Sequence, residues 1–234
     1  MMHKLKSGCQ WRSLIADIEE IKAIFSWQLV YYYFRKWSKS YVFLKIYKEI
    51  LKAKSSKLDT KELNLDGTQS LAKKAGEEVG YQGRKKGKTS NVLIMTDGSG
   101  IPIAVGDIVA GNHNDLHNIV PQFSKMTKTL KECTIDVEKS TLNADKGFDS
   151  KAFRRTCQRR KMVPNIKENI RNRKKNKRGV KRKFDQKIYA KRFVNERCFA
   201  WMDSFRTLLI RFDVLVESWL NWHYLVMILI LLKV

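Results

Sequence analysis

The chain has 234 residues, of which 43% are hydrophobic, so it can bury a substantial core and is not a disordered tail. Lys and Arg total 47 against 23 Asp and Glu, which gives a formal net charge of +24. This excess of positive charge repels itself in a compact chain unless a polyanion offsets it, so it favours a nucleic-acid partner. Ribosomal-type RNA binding and a genome that favours Lys codons are alternative explanations of the charge.

The four cysteines are scattered and form no CxxC pair, which argues against a disulfide framework and a zinc site and favours a reducing, cytoplasmic compartment. The first eleven residues contain no apolar segment of the kind found in a signal peptide. The apolar run 225–232 is eight residues long, whereas a membrane span needs about twenty. We therefore expect a buried helix there and no membrane partner.

Residues 1–58 are predicted to form a small helical domain, followed by a second domain at 59–234. Aromatic and apolar residues recur at intervals of three and four between Trp27 and Trp37, with basic residues among and after them. This pattern is typical of an amphipathic helix. It fits a DNA-binding helical module, and equally a bundle whose aromatic residues are simply core.

The next segments predict three strands joined by short connections. Alternating apolar residues lead into Asp66, which predicts a half-buried strand that ends or turns at Asp66-Gly67. Two further apolar runs, 91–96 and 101–105, flank the sequence Asp-Gly-Ser-Gly at 97–100. Because these four residues tolerate positive φ angles, they predict a hairpin.

A helix is predicted to start near His117 and to extend to about Lys131, with Asn114 or Asp115 as its cap. His113, Asp115 and His117 also suggest a metal site, but the cap is the preferred interpretation, with Asp115 as a supporting residue of a nearby site.

The rest of the chain alternates strands and helices. Residues 141–145 predict a short strand that ends on an acid, Ser150 is a suitable cap for the helix after it, and 162–166 predict another strand. Two helices, at about 187–206 and 212–232, close the chain, with Trp201 expected in the core. Three strands followed by helix, strand, helix, strand and helix predict an α/β protein with a mixed sheet flanked by helices. That is the order of the ribonuclease H-like fold.

Three acids are placed where such a sheet could bring them together. Phosphodiester chemistry without a covalent protein intermediate uses two divalent ions about 4 Å apart, and Mg²⁺ binds through a few carboxylates. Asp66 and Asp145 follow strands that lie side by side in a sheet of this order, and the longer side chain of Glu196 could reach across from a helix. Tyr189 and Arg192 fall on the helical face of Glu196. Each acid alone could be a surface charge, and only their joint placement predicts a site.

Several blocks of the sequence resemble one protein family. LDGTQS at 65–70, GNHNDLHN at 111–118, LNADKGFDSKAFR at 142–154 and YAKRFVNERCFAW at 189–201 are similar to the catalytic domain of bacterial insertion-sequence DDE transposases, insertion-sequence family 5-like. The resemblance covers nearly the whole chain. It implies Asp66, Asp145 and Glu196 as the catalytic, metal-binding triad, with two Mg²⁺ ions that Mn²⁺ can replace. It also implies Tyr189 and Arg192 as accessory residues near the transposon end.

The resemblance further implies a transposase that cleaves DNA at insertion-sequence ends and transfers the cut strands to target DNA. Its partners would be double-stranded DNA, both terminal inverted repeats and target, and a second copy of the chain, in the bacterial cytoplasm with the nucleoid. Asp203 stands where the family signature has Lys, and the segment 13–28 is longer than the usual connection. These departures keep open an alternative, a catalytically inactive DNA-binding remnant.

Two basic segments are predicted to contact the DNA backbone. Residues 83–89 are one position short of the GxxxxGK[ST] spacing, so we interpret them as a basic turn on DNA and not as a nucleotide-binding loop. Residues 167–183 hold ten Lys or Arg among seventeen and predict a solvated loop over the phosphates. The predicted DNA-binding residues of the two segments are Arg84, Lys85, Lys86, Lys88, Arg171, Arg173, Lys174, Lys175, Lys177 and Arg178.

Overall fold

The structure, a computed structural model, describes residues 1–14, 26–169 and 184–234. The described part of the N-terminal region is helical, as predicted, with α1 (Met2–Ser7), α2 (Trp27–Lys39) and α3 (Val42–Ala53). Ser26 caps α2, because its hydroxyl accepts a hydrogen bond from the Leu29 amide at 3.2 Å.

The aromatic pattern of α2 is only partly a core pattern. Phe34 is fully buried and stacks on Trp222 with ring centroids 4.3 Å apart, whereas Tyr31 and Trp37 stay exposed. In α3, the buried Tyr47 donates a hydrogen bond to the carbonyl of Ile103 in the sheet. The N-terminal helices thus share one continuous hydrophobic core with the rest of the protein. The domain division at residue 58 stays a prediction.

A mixed sheet forms the centre of the molecule. Its strands in the described part of the chain are β1 (Glu62–Ala72), β2 (Gly80–Gln82), β3 (Gly87–Thr96), β4 (Pro102–Ala110), β5 (Thr141–Ala144), β6 (Val163–Ile166) and β7 (Ile210–Arg211). The order is β2-β3-β1-β5-β6, with β4 also paired to β3 and β7 to β1. β3 runs antiparallel to β1, β2 and β4, whereas β5 and β6 continue the sheet in parallel. The predicted mixed α/β sheet with ribonuclease H-like order and the β3–β4 hairpin are confirmed.

The prediction that the first strand ends at Asp66-Gly67 is wrong, because β1 continues to Ala72. Its parallel pairing with β5 does stop at Leu65, but its antiparallel pairing with β3 continues to Leu71. Gly67 serves close packing and not a turn: a Cβ atom there would lie 3.1 Å from the side-chain oxygen of Asn91 on β3. The carboxylate of Asp66 therefore belongs to a strand that is paired on both sides up to that point.

Helices α4 (Ile119–Glu132) and α5 (Lys151–Arg159) occupy the crossovers on either side of β5. The predicted cap of α5 is confirmed, since the Ser150 hydroxyl accepts from the Phe153 amide at 3.2 Å. The predicted start of α4 near His117 is wrong. Asn114 caps only a local turn, accepting from the Leu116 amide at 3.1 Å, and the loop continues to Asn118.

The predicted helix over 187–206 is also divided. It consists of α6 (Gln186–Ala190), a 3-10 turn at Lys191–Phe193, α7 (Val194–Asp203) and the start of the short α8 (Arg206–Leu209). The last helix, α9 (Val216–Leu231), is largely buried, as its apolar sequence predicts. Among the described residues, no helix has the length and apolar character needed to cross a membrane.

Candidate active site where two parallel strands stop pairing

Asp66 and Asp145, here called the carboxylate pair, are neighbours across the sheet. The parallel register of β1 and β5 matches Leu65 with Ala144, so the two acids stand next to each other one residue further on. Neighbouring strands lie about 4.8 Å apart, which brings two negative side chains within strong electrostatic range. The expectation that these two acids lie side by side is confirmed.

Asp66 is an ionisable group in a poorly hydrated position. Burial raises the pKa of its carboxyl to about 6, and the charges of Asp145 and Asp115 add to that increase. Two contacts oppose it: Arg192 donates to Oδ2 at 2.6 Å, and the Gly67 amide donates to Oδ1 at 2.9 Å. The carboxylate form is thus only partly compensated, and a further cation would stabilise it.

Asp145 has one engaged and one open oxygen. Its Oδ1 accepts from the Lys146 amide at 2.6 Å and from the Tyr189 hydroxyl at 3.2 Å. Its Oδ2 has no hydrogen-bond partner in the described part of the chain. The Arg192 guanidinium lies over the Tyr189 ring, 5.6 Å from its centroid. The two residues predicted as accessory to the site therefore contact the carboxylate pair directly.

Glu196 is not brought to the carboxylate pair. It is exposed in the first turn of α7, and it makes no hydrogen bond or ion pair with the residues that the structure describes. Within those residues, no group of three or more His, Cys, Asp or Glu is arranged to hold a metal ion. The assignment of Glu196 as the third acid stays a prediction.

The chemistry of the pair fits a hard divalent cation, although the third predicted ligand is not in place. Carboxylate oxygens are the protein ligands that Mg²⁺ prefers, and one or two of them commonly suffice. Asp145 Oδ2 is open to such an ion, whereas Asp66 Oδ2 is occupied by Arg192.

Asp115 lies near the carboxylate pair. From the sequence, it was predicted chiefly as a helix cap. Burial raises the pKa of its carboxyl and the charge of Asp145 raises it further, while Arg84 lowers it. A Cβ atom at Gly147 would lie 2.5 Å from Asp115 Oδ2, so the absence of a side chain there lets the two loops meet. Its position inside the GNHNDLHN block was the available signal. His113 and His117 stack on each other in the same loop, with ring centroids 3.6 Å apart.

The basic turn between β2 and β3 lies on the same side of the molecule. Arg84 acts electrostatically on Asp115, and Lys85 lowers the pKa of Asp203, which burial raises. All four predicted DNA-binding residues of this turn are exposed, namely Arg84, Lys85, Lys86 and Lys88. The predicted DNA-binding residues between 171 and 178 lie outside the described residues.

Trp201 was expected in the core, and this expectation is wrong. Its side chain is 39% exposed, and the guanidinium of Arg197 covers its ring at 5.3 Å from the centroid. Arg197 in turn donates to the carbonyl of Ser99. The apolar face of α7 is instead carried by residues such as Cys198 and Met202, which are buried.

Comparison with known proteins supplies the family. Residues 57–231 match the family model described as "Transposase DDE domain". Similar solved structures include "Mos1 transposase paired-end complex with left transposon end", 14% identical over 69% of this chain and 55% of that one, with a TM-score of 0.33. "Crystal structure of the Mos1 mariner paired end complex with Mn" is also 14% identical, over 94% of this chain and 72% of that one, with a TM-score of 0.34.

This chain spans 55% of the first of those structures, about half its length. Among curated proteins, no match was found. The family model covers most of the chain, including the carboxylate pair and the whole sheet. The chain therefore belongs to the family of transposase DDE domains.

Proposed function

We propose that this chain is a metal-dependent transposase that cleaves DNA strands at the ends of an insertion sequence and transfers them to target DNA. One observation carries the proposal. In a member of the transposase DDE family, Asp66 and Asp145 stand side by side where two neighbouring parallel strands stop pairing. A pair of carboxylates on rigid backbone, one within β1 and the other directly after β5, is what a phosphodiester-cleaving site needs to hold divalent ions.

Asp66 and Asp145 would hold Mg²⁺ or Mn²⁺, with Glu196 as the further ligand of a second ion. Bound there, divalent ions would activate the attacking oxygen and stabilise the leaving oxygen of the phosphodiester. Because burial disfavours the charged form of Asp66, ion binding would also relieve an unfavourable charge in the free protein.

The residues around the pair would position the DNA. The planar guanidinium of Arg192 matches two phosphate oxygens, so a DNA strand at the site would compete with Asp66 for it. The exposed turn from Arg84 to Lys88 would bind the backbone of the duplex and add affinity with little sequence readout. The substrates would be terminal inverted repeats and target DNA, bound by a homodimer in the cytoplasm.

Strand cleavage tests the proposal. The full chain is incubated with Mg²⁺ or Mn²⁺ and a labelled duplex carrying the end of its own insertion sequence, next to Asp145→Ala and Asp107→Asn. Asp107 is a matched control, since it is a partly exposed acid on β4 whose ion pair with Lys125 lies on the surface. We expect cleavage by the wild type and Asp107→Asn and none by Asp145→Ala. Equal cleavage by the wild type and Asp145→Ala would contradict the assignment.

A second candidate function is a non-catalytic DNA-binding remnant, which is favoured by the exposed position of Glu196 away from the pair. It predicts salt-sensitive DNA binding that is unchanged in Glu196→Ala and no cleavage with either ion. Cleavage that depends on Glu196 would exclude it. Cleavage that depends on Asp145 and not on Glu196 would retain the enzyme but remove Glu196 from the triad.

A further inference from the structure

Three buried asparagines form a line of hydrogen bonds across the sheet. Asn64, Asn143 and Asn165 are paired in register on β1, β5 and β6, and each is at most 3% exposed. The side-chain amide of Asn165 donates to Asn143 at 2.9 Å, and that of Asn143 donates to Asn64 at 3.0 Å. We call these three residues the asparagine ladder.

The ladder ends on main-chain atoms at both sides. At one end, Asn165 donates to the carbonyl of Asp185 at 3.0 Å and accepts from the Asp185 amide at 2.9 Å. Asp185 is the cap of α6, since its carboxylate accepts from the amides of Lys187 and Ile188. At the other end, Asn64 donates to the carbonyl of Asp97 at 3.3 Å, in the turn between β3 and β4. The ladder thus connects the start of α6 with that turn.

The same turn holds the start of α7. At its edge, the Thr96 hydroxyl donates to the buried side-chain oxygen of Asn195 at 2.9 Å, and Arg197 donates to the Ser99 carbonyl. A Cβ atom at Gly100 would lie 3.1 Å from the Val194 carbonyl, so the turn packs closely on this helix. Both ends of the segment 185–195 are therefore fixed to one line of buried groups.

The asparagine ladder lies next to the carboxylate pair on the same strands. Side chains two residues apart on an extended strand point to the same face, so Asn64 lies behind Asp66 and Asn143 behind Asp145. The segment 185–195 carries Tyr189 and Arg192, which contact Asp145 and Asp66 from between its two fixed ends. The ladder therefore connects the strands that carry the two carboxylates with the segment that carries Tyr189 and Arg192.

We propose that the asparagine ladder and the β3–β4 turn hold both ends of the segment 185–195, with Asn165 and Asn195 as the residues that position Tyr189 and Arg192 on the carboxylate pair. The role of this positioning in DNA cleavage rests on the proposed function. The docking of the segment itself does not, because it is a property of the free protein.

The chemistry explains why asparagine stands at these positions. A carboxamide donates and accepts at once, so a row of them passes hydrogen bonds from strand to strand without leaving a buried polar atom unpaired. At Asn165, an aspartate would bring a negative charge against two acceptors, the carbonyl of Asp185 and the side-chain oxygen of Asn143. An alanine would leave the same two acceptors without a donor.

Hydrogen exchange of the free protein, without DNA or metal ions, tests the positioning. We compare the wild type with Asn165→Ala, Asn195→Ala and the control Asn91→Ala. Asn91 is an equally buried asparagine of the same sheet, and its side-chain oxygen has no hydrogen-bond partner within the described residues. We expect the amides of α6 to exchange at least about tenfold faster in Asn165→Ala, with β3 unchanged, and those at the start of α7 to do so in Asn195→Ala.

The exchange and cleavage measurements can each contradict the proposed positioning. Three results would contradict the proposal that Asn165 holds the segment 185–195 locally. They are unchanged exchange over 186–193 in Asn165→Ala, the same faster exchange in Asn91→Ala, and loss of protection throughout the sheet. Cleavage rates of the same variants, compared at saturating DNA, test the catalytic consequence. A loosened segment with a wild-type cleavage rate would overturn positioning in the reaction. If the wild type does not cleave, the proposed function fails, while the exchange data still decide how the segment is held.

Discussion

Two regions of this protein hold polar side chains wholly or partly away from water, and they differ in how fully those side chains are satisfied. Beside α9, the guanidinium of Arg211 is 1% exposed and lies over the ring of Trp219 at 5.1 Å. It donates to acceptors on several segments, namely the main-chain oxygens of Glu77, Glu78, Asp213 and Val214 and the hydroxyl of Ser90. At the carboxylate pair, by contrast, Asp145 keeps an open oxygen and Asp66 a pKa of about 6.

Polar groups whose hydrogen bonds are all made within the protein stabilise the fold, whereas groups with an open oxygen or an incompletely compensated charge can bind a ligand. His223 belongs to the first kind: it is buried, and its Nδ1 lies 3.0 Å from the carbonyl of Trp219, which can only accept, so Nδ1 carries the proton. Burial lowers its pKa to about 4, so the imidazole is neutral in the folded protein near neutral pH. Incompletely compensated charge at the point where β1 and β5 stop pairing is instead typical of a functional site.

The largest expected effect concerns Arg211. Replacing it by Met leaves several buried acceptors without a donor, so we expect Arg211→Met to lower the free energy of unfolding by about 3–5 kcal/mol. Urea denaturation measures this change. Arg155→Met on the exposed face of α5 is the control and should change it by less than about 0.5 kcal/mol. Similar changes in the free energy of unfolding for the two variants would show that Arg211 has no special structural role.

The second prediction concerns pH and the helical region. An unfolded histidine takes up a proton near pH 6.5, whereas folded His223 resists it until about pH 4. Its neutral form therefore stabilises the fold above pH 6.5, and this contribution is lost as the pH falls towards 4, by up to about 3 kcal/mol. The difference in unfolding free energy between the wild type and His223→Gln should shrink or reverse over that interval. A constant difference would show that His223 does not titrate in this way.

The third prediction compares two aspartates directly. Without divalent ions near pH 7, Asp66→Asn should raise the free energy of unfolding by about 1–3 kcal/mol, because it removes a poorly compensated charge. Asp149 is also buried, but its oxygens accept from Arg154 at 2.7 Å and from the Asn169 amide at 2.9 Å. Asp149→Asn should therefore destabilise the protein. If both variants destabilise it, the contrast between the two regions fails.

The smallest effect is expected on the surface. Each basic residue of the β2–β3 turn that contacts a phosphate contributes about 0.9 to the slope of log K against log salt concentration. Lys85→Ala and Lys86→Ala should each reduce that slope by about 0.9 and weaken binding to all DNA sequences alike. Fluorescence anisotropy at several salt concentrations measures this, with Lys131→Ala on α4 as the control. An unchanged slope would place the turn away from the DNA.

Local chemistry made much of the fold predictable from the sequence. The hairpin at 97–100, the strand before Asp145 and the cap at Ser150 depend on residues close together in the chain, and the structure has all three. The neighbouring positions of Asp66 and Asp145 followed from strand order alone.

What the sequence did not predict depends on distant contacts. Gly67 looks like a turn residue until Asn91 is known to pack against it from β3. The 3-10 turn at Lys191–Phe193 interrupts the predicted helix between two long-range contacts. Asp185 is hydrogen-bonded to Asn165 and Asn195 to Thr96, and no local sequence pattern indicates either contact. The approach of Asp115 to the pair likewise requires the two loops to meet in space.

The central claim is that the carboxylate pair holds the divalent ion. Fe²⁺ bound in place of Mg²⁺, with ascorbate and peroxide, generates hydroxyl radicals that cut the protein backbone close to the ion. Mass spectrometry of the fragments should show cuts near residues 66 and 145 that excess Mg²⁺ suppresses and that disappear in Asp145→Ala. Cuts confined to other regions, or the same cuts in Asp145→Ala, would contradict the claim.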